Sequence, residues 1–163
     1  MTGGIKMEIR QAQTADFAVV KEITHKTITD IYPHYYPAGT VMFFLKHHSD
    51  ESISADISAG RVYLIFDDEQ NAVGTVTIKE NEICRWFVLP KHQGNGCGRE
   101  LIVFAENEIS RTYDEITADA SLPGKPIYLK RGYAVTEFRD IKTYLGDHLC
   151  YEVMKKKTEK SSV

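Results

Sequence analysis

Cysteine is scarce in this sequence: there are three, Cys84, Cys97 and Cys150, far apart and without a CxxC pair. That usage excludes a disulfide framework and points to a reducing, cytoplasmic setting. Long apolar runs are missing too. No stretch approaches the roughly 20 residues needed to cross a bilayer, which argues against a helical span and a membrane partner. Residues 1–6 hold no apolar h-region, so no secretory signal is expected there. An excess of positive charge is absent: the net charge of -3 excludes the basic footprint of a nucleic-acid binder. Internal repeats, low-complexity core segments and interdomain linkers are not found. What is there, 163 residues with 42% hydrophobic and 26% charged, fits one globular domain. Its core is expected over about 7–155, with 1–6 and 156–163 as flexible tails.

Along the chain, Met, Ile and Ala alternate with polar residues over 7–12 and predict a short strand. Thr14 offers an N-cap and Asp16 suits a first helical turn. Phe17, Val20, Thr24, Ile28 and Ile31 then recur at helical spacing, and Pro33 stops the helix. The aromatic, Pro-punctuated stretch 32–37 reads as an ordered loop. A second helix opens at Ala38 or Thr40 and carries Val41, Phe44 and Leu45. Residues 49–59 form a further short helix, with Ile53 and Ile57 at i, i+4 and Gly60 as its stop.

The periodicity then becomes extended. Strands at 62–66, 72–78 and 82–89, joined by short polar turns, argue an antiparallel meander. Residues 98–110 form a helix with Leu101, Ile102, Ala105 and Ile109 on one face, widened by Val103 and Phe104. A strand at 115–120 completes a β-α-β unit and is expected to pair parallel. A short helix at 126–131 ends at Gly132. Strands at 133–138 and 149–154 follow, with 155–163 as a basic, then Ser-rich, solvated tail.

The stretch Gln93-Gly94-Asn95-Gly96-Cys97-Gly98-Arg99 stands out. It lies between the end of a strand, broken at Pro90, and the start of a helix. The first N–H groups of a helix have no intrahelical partner, and the macrodipole is positive there. Glycines let a phosphate approach the backbone without a Cβ in the way. A pyrophosphate is expected at this turn. A P-loop nucleotidase is disfavoured, because Gly98 is followed by Arg99 and Glu100 and not by Lys and Ser or Thr.

These residues resemble a known signature. Gln93-Gly94-Asn95-Gly96-Cys97-Gly98 fits the Q/R-x-x-G-x-G/A motif of the GNAT superfamily of acyl-CoA-dependent N-acyltransferases. Trp86-Phe87-Val88-Leu89-Pro90 is similar to the family's strand lead, and Ile127-Tyr128-Leu129-Lys130-Arg131-Gly132-Tyr133 resembles its F-Y-x-x-x-G-F. The resemblance implies an α/β (α+β) fold with a mixed, mostly antiparallel central sheet flanked by helices, in the order β-α-α-β-β-β-α-β-α-β-β. It implies a single N-acetyltransferase domain that moves acetyl from acetyl-CoA, without a metal, to a primary amine by direct attack in a ternary complex. A non-catalytic acyl-CoA-binding or sensing module on the same fold is the alternative reading.

Roles follow from the resemblance. Backbone N–H groups of Gln93, Gly94, Asn95, Gly96, Cys97, Gly98 and Arg99 would hold the pyrophosphate. The Val88 N–H would face the thioester carbonyl as an oxyanion donor. Tyr128 would protonate the departing sulfur; read from the residue alone, it packs between helix and sheet. Many family members carry Asn seven residues before this tyrosine, where Ser121 stands here, with Gly124 three residues on in place of Ala. Ser121 can still hydrogen-bond the cofactor.

Glu82, leading into the motif, is the candidate base or a solvent-facing residue at a strand start. His34, Tyr35 and Tyr36 either grip the acceptor or plug the core. His47 and His48 are adjacent, do not share a helix face, and are read as surface residues with no metal role. Cys97 is read as packing, since no base accompanies its thiol. The acceptor is a small-molecule or peptide amine of unassigned identity, mildly favoured as cationic by the acidic net charge. A homodimer is common in the family.

Overall fold

The computed structural model describes residues 7–159. The chain runs β1 (Glu8–Gln11), α1 (Phe17–Ile31), α2 (Ala38–His47), α3 (Asp50–Ser58), β2 (Val62–Phe66), β3 (Ala72–Lys79) and β4 (Glu82–Val88). It continues through α4 (Cys97–Ser110), β5 (Glu115–Ala120), α5 (Lys125–Lys130), β6 (Ala134–Lys142) and β7 (His148–Lys157). The strands form one seven-stranded sheet in the order β1-β2-β3-β4-β5-β7-β6. Every neighbouring pair is antiparallel except β4 and β5.

Local chemistry explains the order. Asp67 turns β2 into β3 by accepting the Glu69 and Asn71 N–H groups on one carboxylate oxygen, each at 2.9 Å. Helix α4 is too long a connection for a hairpin, so β5 enters parallel to β4. The predicted parallel pairing is thus observed. α3 precedes β2 as a third long helical segment, where the family order has two helices. Ser49 caps it by accepting the Ser52 N–H at 3.2 Å.

The sheet buries both faces. On one, Leu101, Ile102, Ala105 and Ile109 of α4 meet Ile65, Val76, Ile83, Ile116 and Met154, all nearly solvent-free. On the other, Val20, Ile23 and Ile28 of α1 and Ile53 of α3 meet Leu64, Phe87 and Leu149. Each buried Ile or Leu contributes about 1.5–3 kcal/mol over its exposed state. Gly74 permits this closeness: a Cβ there would lie 2.9 Å from Ile65 Cγ2 and 3.0 Å from Leu101 Cδ1.

The expected tail is shorter than 155–163. β7 runs on to Lys157, with Lys155 opposite Thr117 and Lys157 opposite Glu115. Thr158 is buried and donates its hydroxyl to Tyr113 O at 2.8 Å. The lysine run read as solvated because its charges are satisfied only in three dimensions. Lys155 reaches Glu115 at 3.3 Å and Lys156 reaches Glu106 at 3.6 Å. The lead 1–6 and residues 160–163 lie outside the described residues. No helix among the described residues is long and apolar enough to cross a membrane.

Candidate functional site

The two parallel strands part company after two register pairs, Glu82 with Thr117 and Ile83 with Ala118. The cause is a bulge in β4. Thr75 pairs with Phe87 and Thr77 with Cys84, so Arg85 and Trp86 together oppose Val76. Arg85 takes a φ of 23°, outside the range a strand allows. Its guanidinium is buried and held from three sides. It donates to Asp56 at 3.0 Å, to Thr77 Oγ1 at 2.9 Å and to Ser52 Oγ at 3.3 Å. Beyond this point β4 bends away while β5 continues along β7.

The fork opens a cleft of about 940 Å³ between the central strands β4 and β5. The Gly-rich turn closes one end. Gly94 and Gly96 adopt φ of 81° and 90°, which a side chain would oppose. Gly96 is the N-cap of α4 and no side chain caps that helix, so its first amides remain for an anion. Gln93 ties the turn back to β4 by donating its side-chain amide to Val88 O at 2.9 Å. Of the expected phosphate-turn residues, Gln93, Gly94, Gly96, Gly98 and Arg99 line the cleft and Asn95 and Cys97 do not. Cys97 is buried in the core, and burial pushes its thiol pKa up, which keeps it protonated. Lys130 also lines the cleft.

Val88 stands on the wall. The Leu89 N–H donates to Val73 O at 2.9 Å. Backbone direction alternates along an antiparallel ladder, so the Val88 N–H turns the other way, into the fork. Tyr128 lies across from it on α5, 5% exposed, its ring 5.4 Å from Trp86 and 5.0 Å from Tyr133. Burial pushes its phenol pKa well above the ordinary value, so the proton stays on the oxygen at neutral pH. Ser121 lines the cleft and accepts the Gly124 N–H at 3.2 Å. Burial raises Tyr32 to about 12.

The far end of the cleft carries carboxylates. Glu82 and Asp119 follow the register to the same sheet face, at the point where the fork begins. Burial pushes Glu82 above the usual carboxylate range, and the neighbouring Asp119 pushes it further. Asp119 is raised by desolvation as well, although one edge meets solvent. The nearest cations are engaged elsewhere: Lys79 lies 3.3 Å from Asp56 and Arg139 2.7 Å from Glu137. His47 and Tyr151 line the same end.

His48 is not a surface residue. It is 8% exposed, its ring 5.7 Å from Phe87, and burial lowers its pKa to about 2 with help from Arg85. Nor does adjacency keep the two rings apart: α2 ends at His47, the chain turns inward at His48, and the rings meet edge to face with centroids 5.0 Å apart. His34, Tyr35 and Tyr36 do not line the cleft. His34 and Tyr35 are exposed, and Tyr36 is a clasp whose phenol oxygen accepts the Leu122 N–H at 2.7 Å. Tyr32 takes the place at the cleft instead. Asp119 escaped the sequence reading. Its signal was a charged residue inside the otherwise compact strand Ile116-Thr117-Ala118-Asp119-Ala120.

Residues 31–157 match the family model of the acetyltransferase (GNAT) domain. The chain belongs to the GNAT acetyltransferase family. Solved structures share its fold. A GCN5-related N-acetyltransferase from Rhodopseudomonas palustris superposes with a TM-score of 0.83 at 22% identity, covering 92% of this chain and 94% of that one. The PaiA N-acetyltransferase of Thermoplasma acidophilum, in complex with coenzyme A, gives 0.71 at 18% identity, covering 93% and 99%. YncA from Salmonella typhimurium, with its cofactor acetyl-CoA, gives 0.69 at 18% identity, covering 97% of each chain. No curated protein sequence matches this chain. Within the GNAT family, then, the mixed sheet, the split between β4 and β5 and the glycine turn belong to one architecture.

Proposed function

We propose that this GNAT domain binds acetyl-CoA in the fork and transfers its acetyl group to a primary amine by direct attack. The observation that carries the reading is the uncapped, Gly-rich start of α4 at one end of a fork whose other end holds two carboxylates, Glu82 and Asp119, without an ion-pair partner among the described residues. The pyrophosphate would rest on the amides of the glycine turn, and Arg99 and Lys130 would add positive charge. The pantetheine arm would run along the backbone that β4 turns toward the fork. As the amine nitrogen attacks the thioester carbon, charge develops on oxygen, and the Val88 N–H is aimed to receive it. The C–S bond then breaks. The sulfur takes the Tyr128 proton, and the proton lost by the ammonium passes to Glu82, directly or through water.

Acetyl-CoA thiol release over a panel of chemically diverse amines tests this reading. Release with at least one amine class supports transfer; binding of acetyl-CoA without release across the panel would leave only a cofactor-binding module. Cationic acceptors are expected to rank first, because Glu82 and Asp119 lack ion-pair partners among the described residues.

A pH profile follows from the raised carboxyl at Glu82. A base works only when ionised, so turnover falls as pH drops through its pKa. Because that pKa is raised, the acidic limb of kcat is expected above the ordinary carboxylate value of about 4.3. Glu82→Gln is expected to remove the limb while the acetyl-CoA Kd stays near wild type. An unchanged limb would assign the titration to another group.

A further inference from the structure

The carboxylate end of the cleft is not polar throughout. The register puts Glu82, Asp119, Val153, Tyr151 and Leu149 on one sheet face, the face on which Leu149 packs with α1. Ile141 pairs with Leu149 and shares that face. Helix α2 stands over it, strapped to the hairpin of β6 and β7. Asp147 accepts the Gly39 N–H at 2.9 Å and the Thr40 hydroxyl at 3.1 Å, and that hydroxyl also lies 3.2 Å from His148 O.

Phe43, Phe44 and His47 of α2 and Ile141, Leu149 and Tyr151 of the hairpin line the same cleft. The Phe43 ring stacks on His47 at 6.0 Å and meets Phe44 edge to face at 6.2 Å. Burial lowers the His47 pKa and raises that of Tyr151, and in both the nearby Asp119 acts upward. The carboxylates therefore sit at the foot of an aromatic pocket. The cations around it are paired. Arg85 and Lys79 reach Asp56 at 3.0 and 3.3 Å, Arg139 reaches Glu137 at 2.7 Å, and Lys155 reaches Glu115 at 3.3 Å.

We infer that the acceptor is an arylalkyl monoamine, with its ammonium at Glu82 and Asp119 and its ring between Phe43 of α2 and Ile141 and Tyr151 of the hairpin. The inference rests on the acetyl-transfer reading and names its substrate class. The nitrogen takes the acetyl group and loses its proton to Glu82, and coenzyme A leaves as the thiol with the Tyr128 proton. Entry of the ring removes apolar surface from water on both sides. Phe43 and Tyr151 offer it offset or edge-to-face contacts that an alkyl chain does not make. The second ammonium of a diamine would lose its water among these rings. A carboxylate beside the amine would face two acids and meet only cations already paired.

Thiol release with 2-phenylethylamine, methylamine, 1,4-diaminobutane and phenylalanine tests the class. Calorimetry of 2-phenylethylamine into the CoA-loaded protein tests the pocket without turnover. 2-Phenylethylamine is expected to exceed each of the others by at least about 10-fold in kcat/KM, the worth of burying a ring. Phe43→Ala is expected to lower its kcat/KM about 10-fold or more. Phe43→Leu keeps an apolar side chain and loses the ring, and is expected to lower it about 2–10-fold. Circular dichroism checks that both variants fold, and their acetyl-CoA Kd is expected near wild type. Release that ranks methylamine, 1,4-diaminobutane or phenylalanine first would overturn the substrate class and leave acetyl transfer standing. Binding of 2-phenylethylamine without release from any amine would sink the chemistry and keep the pocket. Failure of 2-phenylethylamine to bind would overturn the inference, as would wild-type kinetics in both Phe43 variants.

Discussion

Tyr128→Phe is expected to lower kcat by about 10²–10⁴-fold, the usual contribution of a positioned general acid, with little change in acetyl-CoA Kd. The argument turns on how the ring is held. Trp86 at 5.4 Å and Tyr133 at 5.0 Å grip its faces and edges, and these contacts do not need the hydroxyl. Phenylalanine keeps the ring area, so the fold and the cleft wall survive. What is lost is one proton, held on a phenol whose ionisation burial suppresses. Such a group cannot serve as a base at neutral pH. It can donate to a thiolate, which is a stronger base than the ground-state sulfur it replaces. Thiol release gives kcat, and calorimetry with acetyl-CoA gives Kd. Were Tyr128 only a packing residue, kcat would stay within about two-fold, since the substitution removes no packing atom but oxygen.

Asp56→Ala is expected to cost about 3–5 kcal/mol of stability, the penalty for leaving a buried charge without its partner. On this chain length that corresponds to a fall in Tm on the order of 10 °C. Asp56 is 2% exposed and faces the buried Arg85, with Lys79 and Arg61 at its second oxygen. Removing the carboxylate strands a guanidinium that is itself 6% exposed. The exposed pair Lys26–Asp30 sets the contrast: Asp30→Ala is worth at most about 0.5 kcal/mol. Arg85 also sits at the bulge with a positive φ, held there by the same network. Loss of Asp56 is therefore expected to weaken acetyl-CoA binding too, because the bulge is what opens the fork. A thermal melt and a cofactor titration on the same sample read both effects. A melt unchanged within 2 °C would mean that Arg85 reaches water on its own, and the network would not be what holds the bulge.

Much of the fold was written in local pattern. The β-rich runs of Val62–Phe66 and Ala72–Lys79, with the polar turn at Asp67 between them, mark a hairpin without any long-range knowledge. The 3.6-residue spacing of Leu101, Ile102, Ala105 and Ile109 marks α4, and its length makes β5 parallel. The lysine run at the end of β7 was misread as tail because its partners, Glu115 and Glu106, lie some 40 to 50 positions away. His48 was misread for a related reason. Two adjacent histidines at a helix end look solvated, and only packing on Phe87 shows that one is not. The aromatic 32–37 stretch drew attention to Tyr35 and Tyr36, yet the chain's path sends Tyr32 to the cleft and gives Tyr36 a backbone N–H to hold.

The sequence by itself determined the glycine turn, the strand before it, the helix after it and the tyrosine motif downstream. These depend on backbone freedom at Gly94 and Gly96 and on short-range periodicity, which a linear reading contains. Only the tertiary structure decided that β4 and β5 separate after Ile83, that Arg85 bends the strand while buried against Asp56, and that Asp119 joins Glu82 at the crotch of the fork. Each of those is a meeting of residues distant in the chain. Burial and ion pairing set their geometry and their protonation, and neither is a property of any segment alone.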